Sequence, residues 1–289
     1  MIDKNAVARC FGKAAASYDQ HAILQRLSSD RLLQYLPGTP SPSNKGVAIR
    51  YNTTIDLGCG SGALLPTLGN CSNQLFAVDL SFGMLAHAKQ QVYRQQERQE
   101  PRQTNQHELH PLQDKLTPPL YWLNADAEAL PLQSGSVDLC VSNLALQWCD
   151  DLATPLIEAS RCLKQGGLML FSTLVSGSLD ELTQSWSSVN EHRHVNRFLS
   201  EGEIKAALLK SGLSVETFQV EIQTMYYSSV KEVMQSLKGI GANHVHDKDA
   251  KPTTQGELRA FKANYETLRD NQGLLPLSYK LAYCLLRKC

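Results

Sequence analysis

The sequence carries no surplus of either charge: 28 basic residues face 28 acidic ones in a chain of 289. A protein that grips nucleic acid mainly by neutralising phosphates needs a basic excess, so a general nucleic-acid binder is excluded and any cationic patch has to be local. No C-x-x-C pair occurs among the eight cysteines, Cys10, Cys59, Cys71, Cys140, Cys149, Cys162, Cys284 and Cys289, which removes a zinc ribbon or a thioredoxin-like redox pair. Several sit in apolar runs and read as small core residues of a reducing compartment. No run of ~20 apolar residues is present, and the N-terminus lacks a continuous apolar segment. A soluble, cytoplasmic protein that leaves membranes alone is therefore expected. No internal repeat is visible. His192/His194 and His244/His246 form two H-x-H pairs, but no cysteine or acid completes an evident ligand set, so no metal is expected. What the chain does have is 42% hydrophobic residues. That is enough for the core of one large α/β domain or of one domain with a sizeable insertion.

The chain is organised around Thr53-Thr54-Ile55-Asp56-Leu57-Gly58-Cys59-Gly60-Ser61-Gly62. This reads as a buried strand, a glycine turn and a helix from Ala63. Glycines at alternate positions permit positive φ and let a ligand approach the backbone closely. The free N–H groups of the following helix would point back over the turn. Asp79 ends a second strand, Gln74 to Val78, where a carboxylate can accept both hydroxyl protons of a ribose. The spacing is Asp56-x-Gly58-x-Gly60-x-Gly62, not the G-x-G-x-x-G of a pyrophosphate site. An acid beside the turn repels pyrophosphate and attracts an ammonium or sulfonium.

Residues 4 to 36 carry apolar residues at helical spacing, read as two helices broken near Tyr18-Asp19. They precede the first strand and can fold over the sheet's carboxyl edge as a lid, with Tyr18 and His21 facing a ligand. A surface linker follows at residues 39–45. A helix from Ser81 to Gln96 places Met84 on its apolar face, and the polar run 94–119 reads as a surface loop. The third strand, Tyr121 to Asn124, ends at Asp126 and Ala127. Asp126 can accept an adenine N6–H, Ala127 offers a backbone N–H, and Leu80 with Ala127 can sandwich the base. The fourth strand, Ser136 to Ser142, leads to Asn143. Strands one and four should be neighbours where the winding reverses, so that Gly58, Gly60 and Asn143 converge on a ligand. A helix from Leu152 to Leu163 should stop at Lys164-Gln165-Gly166-Gly167. Strand five (Leu168–Thr173), a helix from Leu179 to Val189, a capped helix over 200–211 with Ser200 and Glu203 as a capping box, strand six (Val215–Tyr227), a mostly helical stretch 229–272 and a last strand Tyr279–Leu286 complete the reading.

The glycine pattern resembles motif I of the class I methyltransferases that use S-adenosylmethionine. With Asp79, Asp126 and Arg161-Cys162-Leu163-Lys164-Gln165-Gly166-Gly167, the resemblance runs along the whole core. It implies an α/β fold: a Rossmann-like class I methyltransferase sheet with helices on both faces, an N-terminal helical lid and late helical insertions. It also implies a cofactor site of Asp56, Gly58, Cys59, Gly60, Gly62, Asp79, Leu80, Met84, Asp126, Ala127 and Asn143.

More narrowly, Ser142 to Cys149, Ser172 to Leu179, Asn196-Arg197-Phe198-Leu199, Ser236-Leu237-Lys238-Gly239-Ile240-Gly241-Ala242 and Phe11 to Tyr18 resemble the malonyl-acyl-carrier-protein O-methyltransferases of biotin synthesis. This likeness implies a single domain over 1–289, with a lid at 1–38, a cofactor core at 53–175 and substrate-side insertions at 176–200 and 228–275. It implies methyl transfer to the free carboxylate of a malonyl thioester, on acyl carrier protein or coenzyme A. Tyr18, Arg197 and Lys238 would position that carboxylate, and Gln147 and Trp148 would shape the pocket. Lys205, Lys210, Arg193, Lys231 and Lys238 could give an acidic carrier its landing surface. The polar run near 94–119 is longer than the resemblance leads one to expect. Two other readings stay open on the residues alone: another S-adenosylmethionine enzyme acting on a small dicarboxylate or a quinone ring, and a non-catalytic S-adenosylmethionine-binding protein.

Overall fold

The computed structural model describes residues 3–38, 49–99, 118–192, 194–239 and 253–289. The linker read at 39–45, most of the polar run 94–119, Arg193, and His244 with His246 lie outside the described residues. Seven strands form one sheet: β1 (Tyr51–Leu57), β2 (Ser72–Asp79), β3 (Leu120–Asn124), β4 (Val137–Asn143), β5 (Leu163–Leu174), β6 (Ser214–Tyr227) and β7 (Leu275–Arg287). Their order is β3-β2-β1-β4-β5-β7-β6. The first five are parallel, while β7 runs antiparallel to β5 and β6 antiparallel to β7. Winding reverses between β1 and β4, where Ile55 pairs with both Phe76 and Cys140, so the expected crevice lies above the carboxyl ends of these two strands.

The central strands are near-continuous apolar runs because both faces are covered. On one face Leu75, Ala77, Leu139, Val141 and Leu170 pack in a core with Leu32, Leu68, Trp186 and Phe261. On the other, Ile55, Leu57, Cys140, Met169 and Phe171 pack against Leu156, Ala159, Ile204 and Leu208. The helices are α1 (Lys4–His21), α2 (Ile23–Leu33), α3 (Leu65–Asn70), α4 (Phe82–Gln99), α5 (Ala153–Cys162), α6 (Asp180–Ser187), α7 (Glu201–Lys210), α8 (Val230–Gly239) and α9 (Gln255–Glu266). The capping box at Ser200 and Glu203 is present, and a second one forms at Thr254 and Glu257.

Four readings from the sequence are corrected. The lid does not break at Tyr18-Asp19: α1 runs through both, and the chain turns at Ala22. Arg26 from α2 donates to the Asp19 carbonyl (2.6 Å), satisfying an acceptor in the last turn of α1. The helix after the glycine turn starts at Leu65, not Ala63, and its first turn contains Pro66. Lys164 to Gly167 do not stop a helix. They belong to β5, because the Gly166 N–H donates to the Lys288 carbonyl (2.8 Å) and the Lys288 N–H to the Gly167 carbonyl (3.0 Å). The last strand also begins earlier than read, at Leu275.

Candidate active site

The glycine turn is built on its own hydrogen bonds. Gly58 and Cys59 donate to the Val78 carbonyl, Gly60 to Asp79 Oδ2 (2.9 Å) and Gly62 to the Cys59 carbonyl. These N–H groups of the turn are therefore spent inside the protein. Glycine is required for a different reason. Gly58 sits at φ +74°, and a Cβ there would lie 2.2 Å from the Cβ of Ala145. The turn thus nests against the loop leaving β4, which is how β1 and β4 close their crevice.

Asp79 does two things. Its Oδ1 accepts from the Ser81 N–H (2.7 Å), and with the Gly60 bond it clamps the glycine turn to the start of α4. Burial pushes its carboxyl above the usual range, while those two backbone bonds pull it back. Around it lies a narrow pocket of about 100 Å³ bordered by Gly58, Gly60, Asp79, Leu80, Met84, Asp126, Ala127 and Asn143, as expected, together with Ser81 and Ala125. Asp56, Cys59 and Gly62 do not border it. Asp56 is buried behind the turn with Oδ2 unpartnered. Burial, and then the charge of Asp79, push its carboxyl up to about 8. Gly62 packs under Leu65 and Ala88.

The near wall of this pocket comes from α1, through Lys4, Val7, Ala8, Phe11 and Tyr18. The Lys4 ammonium reaches Asp126 Oδ2 (2.7 Å) and Glu128 Oε2 (2.6 Å). Asp126, the residue suited to accept from an adenine, is thereby already paired. Nothing in the sequence pattern announced Lys4, a single cation more than a hundred residues away. Asn143 is also engaged: Oδ1 accepts from Ser28 (2.8 Å) and Ser172 (2.7 Å), and Nδ2 donates to the Gln25 carbonyl (2.9 Å). It ties α2 to the end of β4.

Beyond this wall opens a second cavity of about 750 Å³. Phe11, Tyr18, Leu144 and Trp148 line both spaces and form the border between them. Phe11 meets Trp148 edge-on, with centroids 5.3 Å apart. Burial raises the Tyr18 phenol well above its ordinary pKa, so it stays an O–H donor at any physiological pH. The rest of the wall is mostly apolar, including Leu174, Leu179, Leu182 and Tyr279, with Gln25 and Gln147 near the border and Lys231, Lys238 and Lys262 from α8 and α9. Trp186 stacks on both His194 and Phe261, with centroids 3.6 and 4.4 Å apart. Asn190 Oδ1 accepts from the His192 N–H (3.1 Å) and lies 2.8 Å from His194 Nε2, so that nitrogen carries the proton. Burial, then His192, lower the His194 pKa and favour the neutral ring.

Of the residues expected to handle a substrate, Tyr18, Gln147, Trp148 and Lys238 come together here and Arg197 does not. Arg197 is turned outward, its guanidinium paired with Glu203. Lys205 and Lys210 ride on α7, whose buried residues pack on the sheet face opposite to this cavity, and Lys205 sits over the Phe218 ring. Among the described residues no group of three or more His, Cys, Asp or Glu is placed to hold a metal ion. None of the described helices is long and apolar enough to cross a membrane.

Comparison with known proteins agrees with this geometry. Residues 55–171 match a family described as a methyltransferase domain. The chain is 37% identical to a malonyl-acyl-carrier-protein O-methyltransferase of Enterobacter lignolyticus, over 97% of this chain and 96% of that one. It is 36% identical to a protein of the same name from Serratia marcescens, over 98% and 95%. Among solved structures, a methyltransferase candidate from Bacillus halodurans superposes with a TM-score of 0.57 at 13% identity, covering 90% of this chain and 97% of that one, which is a likeness of fold.

Proposed function

This chain belongs to the malonyl-acyl-carrier-protein O-methyltransferase family, and from that premise we propose how its own residues run the reaction. The protein is a methyltransferase that uses S-adenosylmethionine and esterifies the free carboxylate of a malonyl thioester on acyl carrier protein, for biotin synthesis. The observation that carries the reading is the border of Phe11, Tyr18, Leu144 and Trp148 between a glycine-turn pocket and a large, mainly apolar cavity.

The residues present fit the cofactor. Asp79 offers a carboxylate to the ribose, Asp126 can take the adenine amino group, and Leu80 and Met84 supply apolar walls. When bound, the cofactor supplies a methyl made electrophilic by its sulfonium. The chain need not supply a base, because a malonyl carboxylate is ionised near neutral pH. Its contribution is alignment and exclusion of water. Tyr18 and Trp148, at the border, are assigned to aligning the carboxylate. Lys238, with Lys231 and Lys262, receives the anionic arm and acidic face of the carrier. Arg197 is left out, since Glu203 holds it outside. The landing surface is α8 and α9, in the 228–275 segment, rather than α7. The division proposed with this reading is 1–38 as lid, 53–175 as cofactor core, and 176–200 and 228–275 as substrate side.

Incubation with methyl-labelled S-adenosylmethionine and malonyl carrier protein should place label in a base-labile ester. Malonyl-coenzyme A, free malonate and a quinone are the comparison substrates. Label on the quinone, or none on the malonyl carrier, would overturn the assignment.

A further inference from the structure

Two of the four buried side-chain atoms left without a hydrogen-bond partner, among the described residues, are amide oxygens of one cavity: Gln25 Oε1 and Gln147 Oε1. Burying an unpaired amide oxygen is costly, and native proteins leave few of them. Here it happens twice, on two different elements. Gln25 is on α2, and its carbonyl is held by Asn143, which borders the cofactor pocket. Gln147 stands in a short 3₁₀ turn directly before Trp148, a border residue. Both side chains line the cavity, and an amide whose oxygen has no partner is not committed to a bond within the protein, so its NH₂ group is available to a ligand held there.

We infer that Gln25 and Gln147 form a neutral amide clamp that holds the substrate carboxylate at the border while it is methylated. The inference rests on the methyltransferase reading above. The chemistry favours uncharged donors at this point. In the reaction a carboxylate oxygen forms a bond to the methyl carbon, the carbon–sulfur bond breaks, and its electron pair returns to sulfur. A negative and a positive charge disappear together, and no proton moves. A cation paired with the carboxylate would stabilise the reactants more than the transition state and slow the step. An NH₂ donor fixes one carboxylate oxygen in place and leaves the other lone pairs available for attack. Consistent with this, none of the cavity's three lysines borders the cofactor pocket, whereas the two glutamines stand next to residues that do.

The test uses the full-length protein with Gln25→Leu, Gln147→Leu, Gln25→Glu and Gln147→Glu. Measurements are kcat and KM for malonyl carrier protein, the Kd for S-adenosylhomocysteine, and Tm. Each leucine variant should keep the wild-type Kd within about twofold and lose at least tenfold in kcat/KM, on the order of one bond to a charged group. Each glutamate variant should be worse still at pH 8, where its charge repels the substrate. It should then recover relative to wild type as pH falls to about 5.5, because a protonated carboxyl again presents a donor. A purely structural role would not produce that recovery. Unchanged kcat/KM in folded variants overturns the inference, as does leucine and glutamate behaving alike at every pH, or a loss confined to Tm and cofactor affinity. A wild-type protein that fails to methylate the malonyl thioester overturns the functional reading as well, so the two failures are told apart.

Discussion

Replacing Asp79 by alanine separates cofactor binding from the integrity of the glycine turn. In the native fold the carboxylate accepts the Gly60 and Ser81 N–H groups at 2.9 and 2.7 Å. Alanine orphans both donors, a gross cost of about 2–6 kcal/mol at ~1–3 kcal/mol each. Part of this is returned, because burial of the carboxylate is itself unfavourable, as its raised pKa records. A net loss of about 2 kcal/mol is expected, small enough for a domain with ~5–15 kcal/mol of stability to remain folded. Binding should suffer more. Two ribose hydroxyls lose a charged acceptor at ~1.5–3 kcal/mol each, or on the order of a hundred- to ten-thousandfold in affinity. Asp79→Asn keeps the shape and one acceptor oxygen, so its stability should lie between wild type and alanine while its affinity stays low. Urea unfolding measures the first quantity and calorimetric titration with S-adenosylhomocysteine the second. Undiminished affinity in a folded Asp79→Ala protein would refute the placement of the ribose. An unchanged unfolding free energy would refute the clamp on the turn.

Other expectations follow from the same site. The Asp56 carboxyl titrates at about 8 when folded and near 4 when unfolded, so the native state holds the extra proton between those values and stability falls as pH rises through that window. Asp56→Asn should abolish this loss, and urea unfolding should show its advantage over wild type growing from pH 6 to pH 9; a constant gap would contradict the buried titration. Gly58→Ala should destabilise by about 2–5 kcal/mol, from ~1–2 for left-handed backbone and ~1–3 for the clash with Ala145, with Ala145→Gly relieving only the second part in a denaturation experiment. Lys4→Met frees Asp126 from a part-exposed ion pair worth ~1 kcal/mol, so stopped-flow mixing should show cofactor association about fivefold faster and less salt-dependent. An unchanged rate would show that the pair does not restrain α1.

The legible parts of this chain were local. Gly58, Gly60 and Asp79 sit on consecutive strand ends, and the Ser200–Glu203 box is a four-residue pattern, so short-range spacing located them. Asn143 followed from topology, because parallel strands with reversed winding have one crevice. Asp56 was misjudged as a ligand-facing acid, although strand alternation turns it away from the layer of Ile55 and Leu57 and buries it beneath the turn. The helix read to Leu163 ends at Cys162, but Lys164 to Gly167 were read as a stop and not as strand, because the partner of Gly166, Lys288, lies 122 positions later. Lys231 and Lys238 had been singled out, whereas Lys4, Gln25 and Lys262 were invisible for the same reason. Each acquires meaning only from a neighbour distant in sequence, and single cations or glutamines on amphipathic helices carry no periodic signal.

The position of α1 has a kinetic consequence. One helix walls the cofactor pocket with Lys4, Val7 and Ala8, completes the substrate cavity with Phe11 and Tyr18, and packs on α4 and α8. A helix displaced to admit the nucleoside cannot at the same moment furnish the border on which the thioester rests. Ordered turnover is therefore expected, with the methyl donor entering first and its spent form leaving last. In steady state that sequence makes S-adenosylhomocysteine competitive against the methyl donor and non-competitive against the malonyl carrier. The ester should then depart while the helix is still down, so that each acyl chain is released before the enzyme is recharged.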